Sequence, residues 1–318
     1  MDTLILPKQG VTKNNSKLNK SISNLIKNRY LYLLALPGIL FFIIFKYLPM
    51  WGILIAFKDY SPYVGFFKSP WVGFKHFTAL FTVKDFEIIL RNTLAINFLN
   101  LLFFFPAPII ISILLNEVRK NKFKRVIQTA IYFPHFLSWV IIFSITYAML
   151  SEGNGFVNVL LNDIAGFKIP FMTEPKIFWF LLVGQNIWKE AGWGTVIFLA
   201  SITSIDPSLY EAATCDGAGR LRQMWHITLP GIRNVVITLF ILRVGHIMDI
   251  GVEQMYLMGN PVVANLADVF DTYVFRMGVR QSNFSYSTAV GIFKSVVGLA
   301  MVVVANKMAK SVGEEGIY

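Results

Sequence analysis

Long apolar stretches alternate with short polar ones along most of this chain, and they exceed what the elements of a water-soluble core need. A segment crossing lipid must satisfy its own backbone N–H and C=O groups, which calls for a helix of about 20 mostly apolar residues. Six windows meet that requirement, over residues 31–57, 93–115, 128–150, 177–202, 234–252 and 285–306. Lys46 and Pro49 interrupt the first, so a shorter span ending near Phe45, followed by a turn, is the alternative there. The pattern predicts an all-α membrane protein of six transmembrane helices. It divides the chain into a polar tail over 1–29, a transmembrane domain over 30–310 and a short tail over 311–318. The first tail spreads Lys8, Lys13, Lys17 and Lys20 among Asn and Ser. It lacks the apolar core and small-residue cleavage site of a signal peptide and reads as disordered.

Composition removes the competing classes. Apolar residues make up 55% and charged residues 15%, whereas a soluble domain carries about 25% charged residues. The one cysteine, Cys215, allows no intrachain disulfide and reads as a small packing residue. His76, His135, His226 and His246 are scattered without zinc-ligand spacing, so no metal is expected. The net charge of +11 is unevenly placed. With alternating spans, the side of the termini carries sixteen Lys/Arg against seven Asp/Glu, and the other side nine against nine. The positive-inside rule then puts both termini in the cytoplasm and the chain, with several passes, in the cytoplasmic (inner) membrane. The basic excess is therefore topology set in membrane lipid, not a nucleic-acid footprint, and no groove-reading motif is present. Neither a phosphate-binding Gly-x-x-x-x-Gly-Lys-Ser/Thr loop nor a catalytic constellation occurs. The chain is thus not expected to be an enzyme, and any energy must come from elsewhere. The loop over 58–91, rich in rings such as Tyr60, Phe66 and Trp71, suits the membrane interface.

The most informative polar stretch, 206–230, lies between the fourth and fifth windows on the side predicted to be cytoplasmic. Asp206 is a good N-cap and Pro207 a good first helical residue. Gly217 and Gly219 supply a break where positive φ is allowed, and a second amphipathic piece runs to Leu229-Pro230. The prediction is helix, elbow, helix, too short and polar to span. Ala212 and Ala213 permit close approach of another backbone, while Glu211 offers a charge to a basic partner, so the stretch reads as a docking surface.

The spacing of Glu211-Ala212-Ala213, Gly217, Ile227 and Leu229-Pro230 resembles the EAA loop of permease subunits in binding-protein-dependent ABC importers. The run through Asp216-Gly217 is similar to that of the carbohydrate uptake branch. Asn234 stands where many relatives have proline. A second resemblance lies in Leu36-Pro37-Gly38, Phe45-Lys46-Tyr47-Leu48-Pro49-Met50, Ala56-Phe57-Lys58-Asp59-Tyr60 and Ser69-Pro70-Trp71-Val72-Gly73. These segments resemble permeases that import oligosaccharides released from plant or algal polysaccharides, rhamnogalacturonan type included. The resemblance implies a type I importer permease of MetI-like fold, paired with a second, homologous permease as a heterodimer. It also implies two cytoplasmic ATPase subunits gripping the loop through Glu211, Ala212, Ala213, Asp216, Gly217, Ile227, Leu229 and Pro230, and an extracytoplasmic sugar-binding protein. ATP and Mg belong to the ATPases; no cofactor is expected in this chain.

Six ionisable residues fall within the windows: Lys46, Lys189, Glu190, Arg243, Asp249 and Lys294. An unpaired charge at the bilayer centre costs about 2.5–3.5 kcal/mol, so they should face protein or water. On the fourth helix Asn186, Lys189, Glu190 and Trp193 share a face at i, i+3, i+4 and i+7. On the fifth, His246, Asp249 and Glu253 do the same at i, i+3 and i+7, with Arg243 one turn before. Trp193 suits stacking on a sugar ring, and Lys189 or Arg243 suits the carboxylate of a uronic acid, so these eight residues form a candidate substrate pathway. In the family the solute site is similarly placed. The alternative is that the charges pair with each other or with the second permease. His135 and Trp139 are weaker candidates and read as packing. Lys294 is expected to pair within the assembly. The rival functions are a permease for a different solute class, an ion-coupled secondary transporter, for which no internal repeat is found, and an intramembrane enzyme.

Overall fold

The computed structural model describes residues 27–314, 316 and 317, so the predicted N-terminal tail lies outside the described residues up to residue 26. The chain divides into two units, Met1–Leu54 and Ile55–Tyr318. In the first, helix α1 (Arg29–Phe42) passes into a π-helical turn (Ile43–Tyr47) and the start of a 3-10 stretch (Leu48–Phe57) whose last three residues belong to the second unit. The winding changes where Lys46 and Pro49 stand, because Pro49 has no N–H to donate to the α-helical ladder. Helical turns continue without a break over Arg29–Phe57, while the α-helical part ends at Phe42, close to the Phe45 end of the shorter alternative.

The second unit is helical, and the antiparallel bridge between Lys58 and Trp71 is the only β pairing among the described residues. Its first helices are α2 (Lys75–Thr82), α3 (Asp85–Asn116), α4 (Asn121–Phe136), α5 (Trp139–Leu150), α6 (Phe156–Ala165) and α7 (Pro175–Thr203). The second half comprises α8 (Pro207–Cys215), α9 (Arg220–Gly231), α10 (Arg233–Gly245), α11 (Val252–Met258), α12 (Ala264–Ala267), α13 (Phe270–Phe275) and α14 (Phe284–Ser311). The aromatic loop before α2 folds around Lys58, whose ammonium donates to the Phe66 carbonyl at 2.7 Å and lies over the Phe66 and Trp71 rings.

Among the described residues three helices are long and apolar enough to cross a membrane, Arg29–Phe57, α3 and α14; counting each of two bent pairs as one span gives five. α7 is about 44 Å long at 1.5 Å per residue, more than a hydrocarbon layer of about 30 Å. Gln185, Asn186, Lys189 and Glu190 at its centre keep it from matching the others in apolarity. α3 begins eight residues before its predicted window, because Asp85 and Glu87 favour the positive end of the helix dipole.

Two predicted continuous helices are corrected. The third window was expected as one rod, yet α4 and α5 meet at 106°. Pro134 sits in the 3-10 turn Phe133–Phe136, Leu137 is extended, and Ser138 caps α5 by accepting from the Ile141 amide. The fifth window also fails as a continuous helix: α10 stops at Gly245, residues 246–248 turn, 249–250 are irregular, and Gly251 adopts φ 102° before α11. Tertiary bonds hold that turn open. Asn97 Nδ2 donates to the Ile247 carbonyl at 2.8 Å, and Asp271 Oδ2 accepts from the Ile250 and Gly251 amides at 2.8 and 3.0 Å.

Apolar packing surrounds these polar fasteners. Ile96, Phe178, Leu182, Met255 and Met258 form one cluster. Leu80, Ile89, Phe270, Tyr273 and Val290 form a second, and Phe198, Ile202 and Ile232 a third beneath the 206–230 segment. Gln185 bridges α5, α7 and α11, donating to Thr146 at 2.7 Å and accepting from Gln254 at 3.0 Å. α4 crosses α7 at Gly192, where an added Cβ would collide with the Ile131 carbonyl, whereas Gly184 on the same helix has open space. Gly192→Ala is therefore expected to lower stability by about 1–3 kcal/mol, the range for overpacking, and Gly184→Ala to leave it unchanged or raise it. Thermal unfolding of the two variants in detergent checks the contrast.

Candidate functional site

The segment between α7 and α10 forms the predicted helix, elbow and helix. Asp206 accepts from the Ser208 amide at 2.9 Å, and Pro207 opens α8. α8 ends in a Schellman turn: the Ala218 amide donates to the Ala213 carbonyl at 2.8 Å and the Gly217 amide to Thr214 at 3.0 Å. Gly217 has φ 76°, a left-handed conformation that favours glycine. Gly219 does not share it; at φ −68° it is the extended cap of α9. Two bonds brace the pair, Tyr210 Oη to Thr228 Oγ1 at 3.0 Å and Gln223 Nε2 to Thr214 Oγ1 at 2.9 Å.

The eight residues singled out here have different surroundings. Glu211, Ala212, Asp216, Gly217 and Pro230 are exposed, Ala213 and Ile227 are half-buried, and Leu229 packs against the Phe198–Ile202–Ile232 cluster. Leu229 thus anchors the segment, and the exposed residues form its outer surface. Glu211 and Asp216 make no ion pair among the described residues, and Leu209, Leu221 and Trp225 are exposed beside them. Cys215 is exposed too, contrary to a packing role, because it lies on the outer side of α8. The bonds from Ser208 hold the Asp206 carboxyl below the usual carboxylate range. A carboxylate lowered in this way stabilises α8 fully above its unfolded pKa and loses that contribution as pH falls through the lower folded value. Amide-exchange protection over 208–215 should fall on acidification through that range and be weak at every pH in Asp206→Ala.

At the break between α4 and α5 the structure gathers several of the charges of α7. The Lys189 ammonium is buried and donates to the His135 carbonyl at 2.8 Å. It also pairs with Glu190 at 3.2 Å, and the other Glu190 oxygen meets His135 Nδ1 at 2.7 Å. The His135 ring stacks on Trp193, centroids 4.8 Å apart and 3° from parallel, and Lys189 lies 5.7 Å from the Trp139 ring centroid. Lys189 and Glu190 are thus partners of each other, while Trp193 stays half-exposed at 49%. His135 is more central than its sequence position suggested. The only local hint is Pro134, which ends the helix there.

The other predicted face is not a helical face. Arg243 lies over Phe104 at 5.1 Å in the last turn of α10. His246 and Asp249, 3.2 Å apart, stand in the turn. Glu253 lies on α11, where it lines a cavity of about 380 Å³ with Ser138 and Trp139. Asn186 donates to Asn100 on α3 at 2.9 Å. Lys294 reaches Asp249 at 2.8 Å and pairs with Asp271, tying α14 to the turn. Asn97 and Asn100, polar residues inside the second apolar window, were the readable signal that this helix is cross-linked to the turn and to α7.

The family model for the binding-protein-dependent transport system inner membrane component matches residues 104–313. The chain is 52% identical over 302 residues, 95% of its length and 94% of the relative's, to the polygalacturonan/rhamnogalacturonan transport system permease protein YteP of Bacillus subtilis (strain 168). It is 54% identical over 292 residues, 92% of each chain, to protein LplB of the same organism. A solved bacterial alginate ABC transporter, in complex with an alginate pentasaccharide-bound periplasmic protein, contains a chain that superimposes with a TM-score of 0.83 at 38% identity. That match covers 93% of this chain and 99% of the other.

Proposed function

This chain belongs to the inner membrane components of binding-protein-dependent transport systems, and on that premise we propose that it is the permease subunit of an ATP-driven importer of acidic oligosaccharides. The observation that carries the substrate class is full-length similarity to two transporters whose named cargoes, polygalacturonan/rhamnogalacturonan and alginate, are acidic polysaccharides. In this reading the chain crosses the cytoplasmic membrane six times, with α7 as a span and both termini inside. It pairs with a second permease, and an extracytoplasmic sugar-binding protein delivers the solute. The exposed surface of 206–230, whose Glu211 and Asp216 make no ion pair among the described residues, docks on one of two ATPase subunits that bind ATP and Mg. ATP binding favours one arrangement of the permease pair and hydrolysis releases it. Trp193, His246, Arg243 and Glu253 lie along the solute's route, and the Lys189–Glu190–His135 cluster fixes the shape of the α4–α5 break.

The test is uptake by proteoliposomes holding the whole importer. Trigalacturonate should accumulate only with ATP inside and binding protein outside. Uptake that survives without ATP and collapses with a protonophore would favour an ion-coupled carrier instead. Because Cys215 is the only cysteine in the sequence and is exposed on α8, orientation has its own measurement. In the importer freed of its ATPases, an impermeant maleimide should label Cys215 in inside-out vesicles and leave right-side-out vesicles unlabelled.

A further inference from the structure

The end of α7 farthest from the 206–230 segment is bonded to α12, which borders a second cavity. Trp179 in the first turns of α7 donates to the Leu266 carbonyl at 3.1 Å, and beside α12 lies a cavity of about 470 Å³, within the range of ligand pockets, about 300–1,000 Å³. Asp85, Tyr256, Asn265, Arg276 and Arg280 are among its lining residues. The two arginines stand on one π-helical turn, Arg276–Arg280, a feature frequent at functional sites.

Their circumstances differ. Arg276 is bidentate to Asp268, at 3.0 and 2.7 Å, and lies 3.9 Å from Asp85. Arg280 has no carboxylate partner among the described residues. It donates to the Tyr256 hydroxyl, and its guanidinium lies over the Tyr256 ring, 5.1 Å from the centroid. Tyr256 in turn meets Phe275 edge to face, centroids 6.1 Å apart. A stacked, hydrogen-bonded guanidinium loses little freedom when it takes up a carboxylate. The Asn265 side-chain amide makes no hydrogen bond among the described residues, and Asp85 adds an acceptor to the lining. A cation, an amide and a carboxylate around one cavity match a sugar ring bearing one carboxylate and several hydroxyls.

We propose that this cavity binds a uronic acid residue of the incoming oligosaccharide, with Arg280 holding its carboxylate, Asp85 and Asn265 meeting its hydroxyls, and Tyr256 acting as the positioning residue for Arg280. The inference rests on the oligosaccharide reading above and adds to it the group that distinguishes acidic from neutral sugars. Lys189, a cation inside α7, is already spent on Glu190 and the His135 carbonyl, whereas Arg280 stands at a cavity wall with no carboxylate partner among the described residues.

The experiment uses the complete importer purified in detergent, first scored for ATP-dependent trigalacturonate uptake after reconstitution with binding protein. Absence of uptake there fails the oligosaccharide reading whatever Arg280 does. Binding of trigalacturonate and of its methyl ester is then measured calorimetrically on the importer without binding protein. Wild type should bind the acid about tenfold tighter than the ester, as one charge-assisted hydrogen bond implies. Arg280→Gln should bind both at the ester's level, Arg280→Lys should keep part of the preference, and Tyr256→Phe should reduce it. Equal binding of acid and ester by wild type overturns the site, as does a preference that survives Arg280→Gln. Arg280→Gln weakening both ligands alike also overturns it, since a structural role or docking of another protein would do that.

Discussion

Replacing Glu211 with lysine should abolish ATP-dependent uptake while leaving membrane insertion and thermal stability at wild-type values. Glu211 is exposed and makes no ion pair among the described residues, so the folded chain loses nothing by the change. What changes is the surface offered to a partner. Truncating one member of a buried, hydrogen-bonded charge pair costs an interface about 2–5 kcal/mol. At 1.4 kcal/mol per tenfold, even the lower bound is roughly thirtyfold in affinity, and charge reversal adds repulsion. Gly217→Val should reach the same end by another route. No atom lies within 4 Å of the Cβ position at Gly217, so nothing is overpacked; the penalty, about 1–2 kcal/mol or more, arises from forcing an L-residue into left-handed backbone at φ 76°. The Schellman turn would open and α8 would lose its fixed angle to α9. Co-purification of the ATPase and binding-protein-stimulated ATP hydrolysis measure both variants. Normal values for both in Glu211→Lys would remove the docking role from this surface, whereas loss in Gly217→Val alone would leave the shape of the elbow as its working feature.

The 206–230 segment was legible because its determinants are local. Asp206-Pro207 start a helix and Gly217 stops it whatever surrounds them. Broken spans were not, because hydropathy windows average over the one or two residues that break a rod. Pro134 and Ser138 separate α4 from α5 within a stretch whose mean hydropathy still passes for one crossing. Gly245 and Gly251 are weak signals by themselves; residues 246–251 leave the helix because Asn97 and Asp271, far away in sequence, take up backbone groups there. The same non-locality scattered the predicted face of His246, Asp249 and Glu253, whose i, i+3, i+7 spacing means something only on a continuous helix. α7 kept the face predicted for it because its 29 residues are continuous. Even so, its charges met His135 across the α4–α5 break, a contact that no periodicity contains. The sequence showed that charges inside spans need partners; only the fold showed which ones.

Asp271 was not among the residues singled out from the sequence, and its replacement should be the most damaging single change in the membrane domain. Its carboxylate pairs with Lys294 and accepts both the Ile250 and Gly251 amides, so it joins α13, α14 and the turn after α10. Both side chains are largely buried, at 17% and 11% exposure. Removing one partner of a buried pair costs about 3–5 kcal/mol, because the remaining charge is left without compensation. Here Lys294 keeps Asp249 at 2.8 Å, but that carboxylate is half-exposed. Asp271→Ala also orphans two amides, each worth about 1–3 kcal/mol if buried. Asp271→Asn leaves an acceptor for those amides and removes only the charge, so it should be less harmful. Combining it with Lys294→Met should recover much of the loss, since replacing both members of a buried pair is often close to neutral. A double-mutant cycle of unfolding midpoints in detergent reads the coupling. A double-mutant loss well below the sum of the two single losses identifies the pair as the fastener of the turn. Additive losses would mean that Asp271 acts through the two amides alone, with Lys294 serving Asp249.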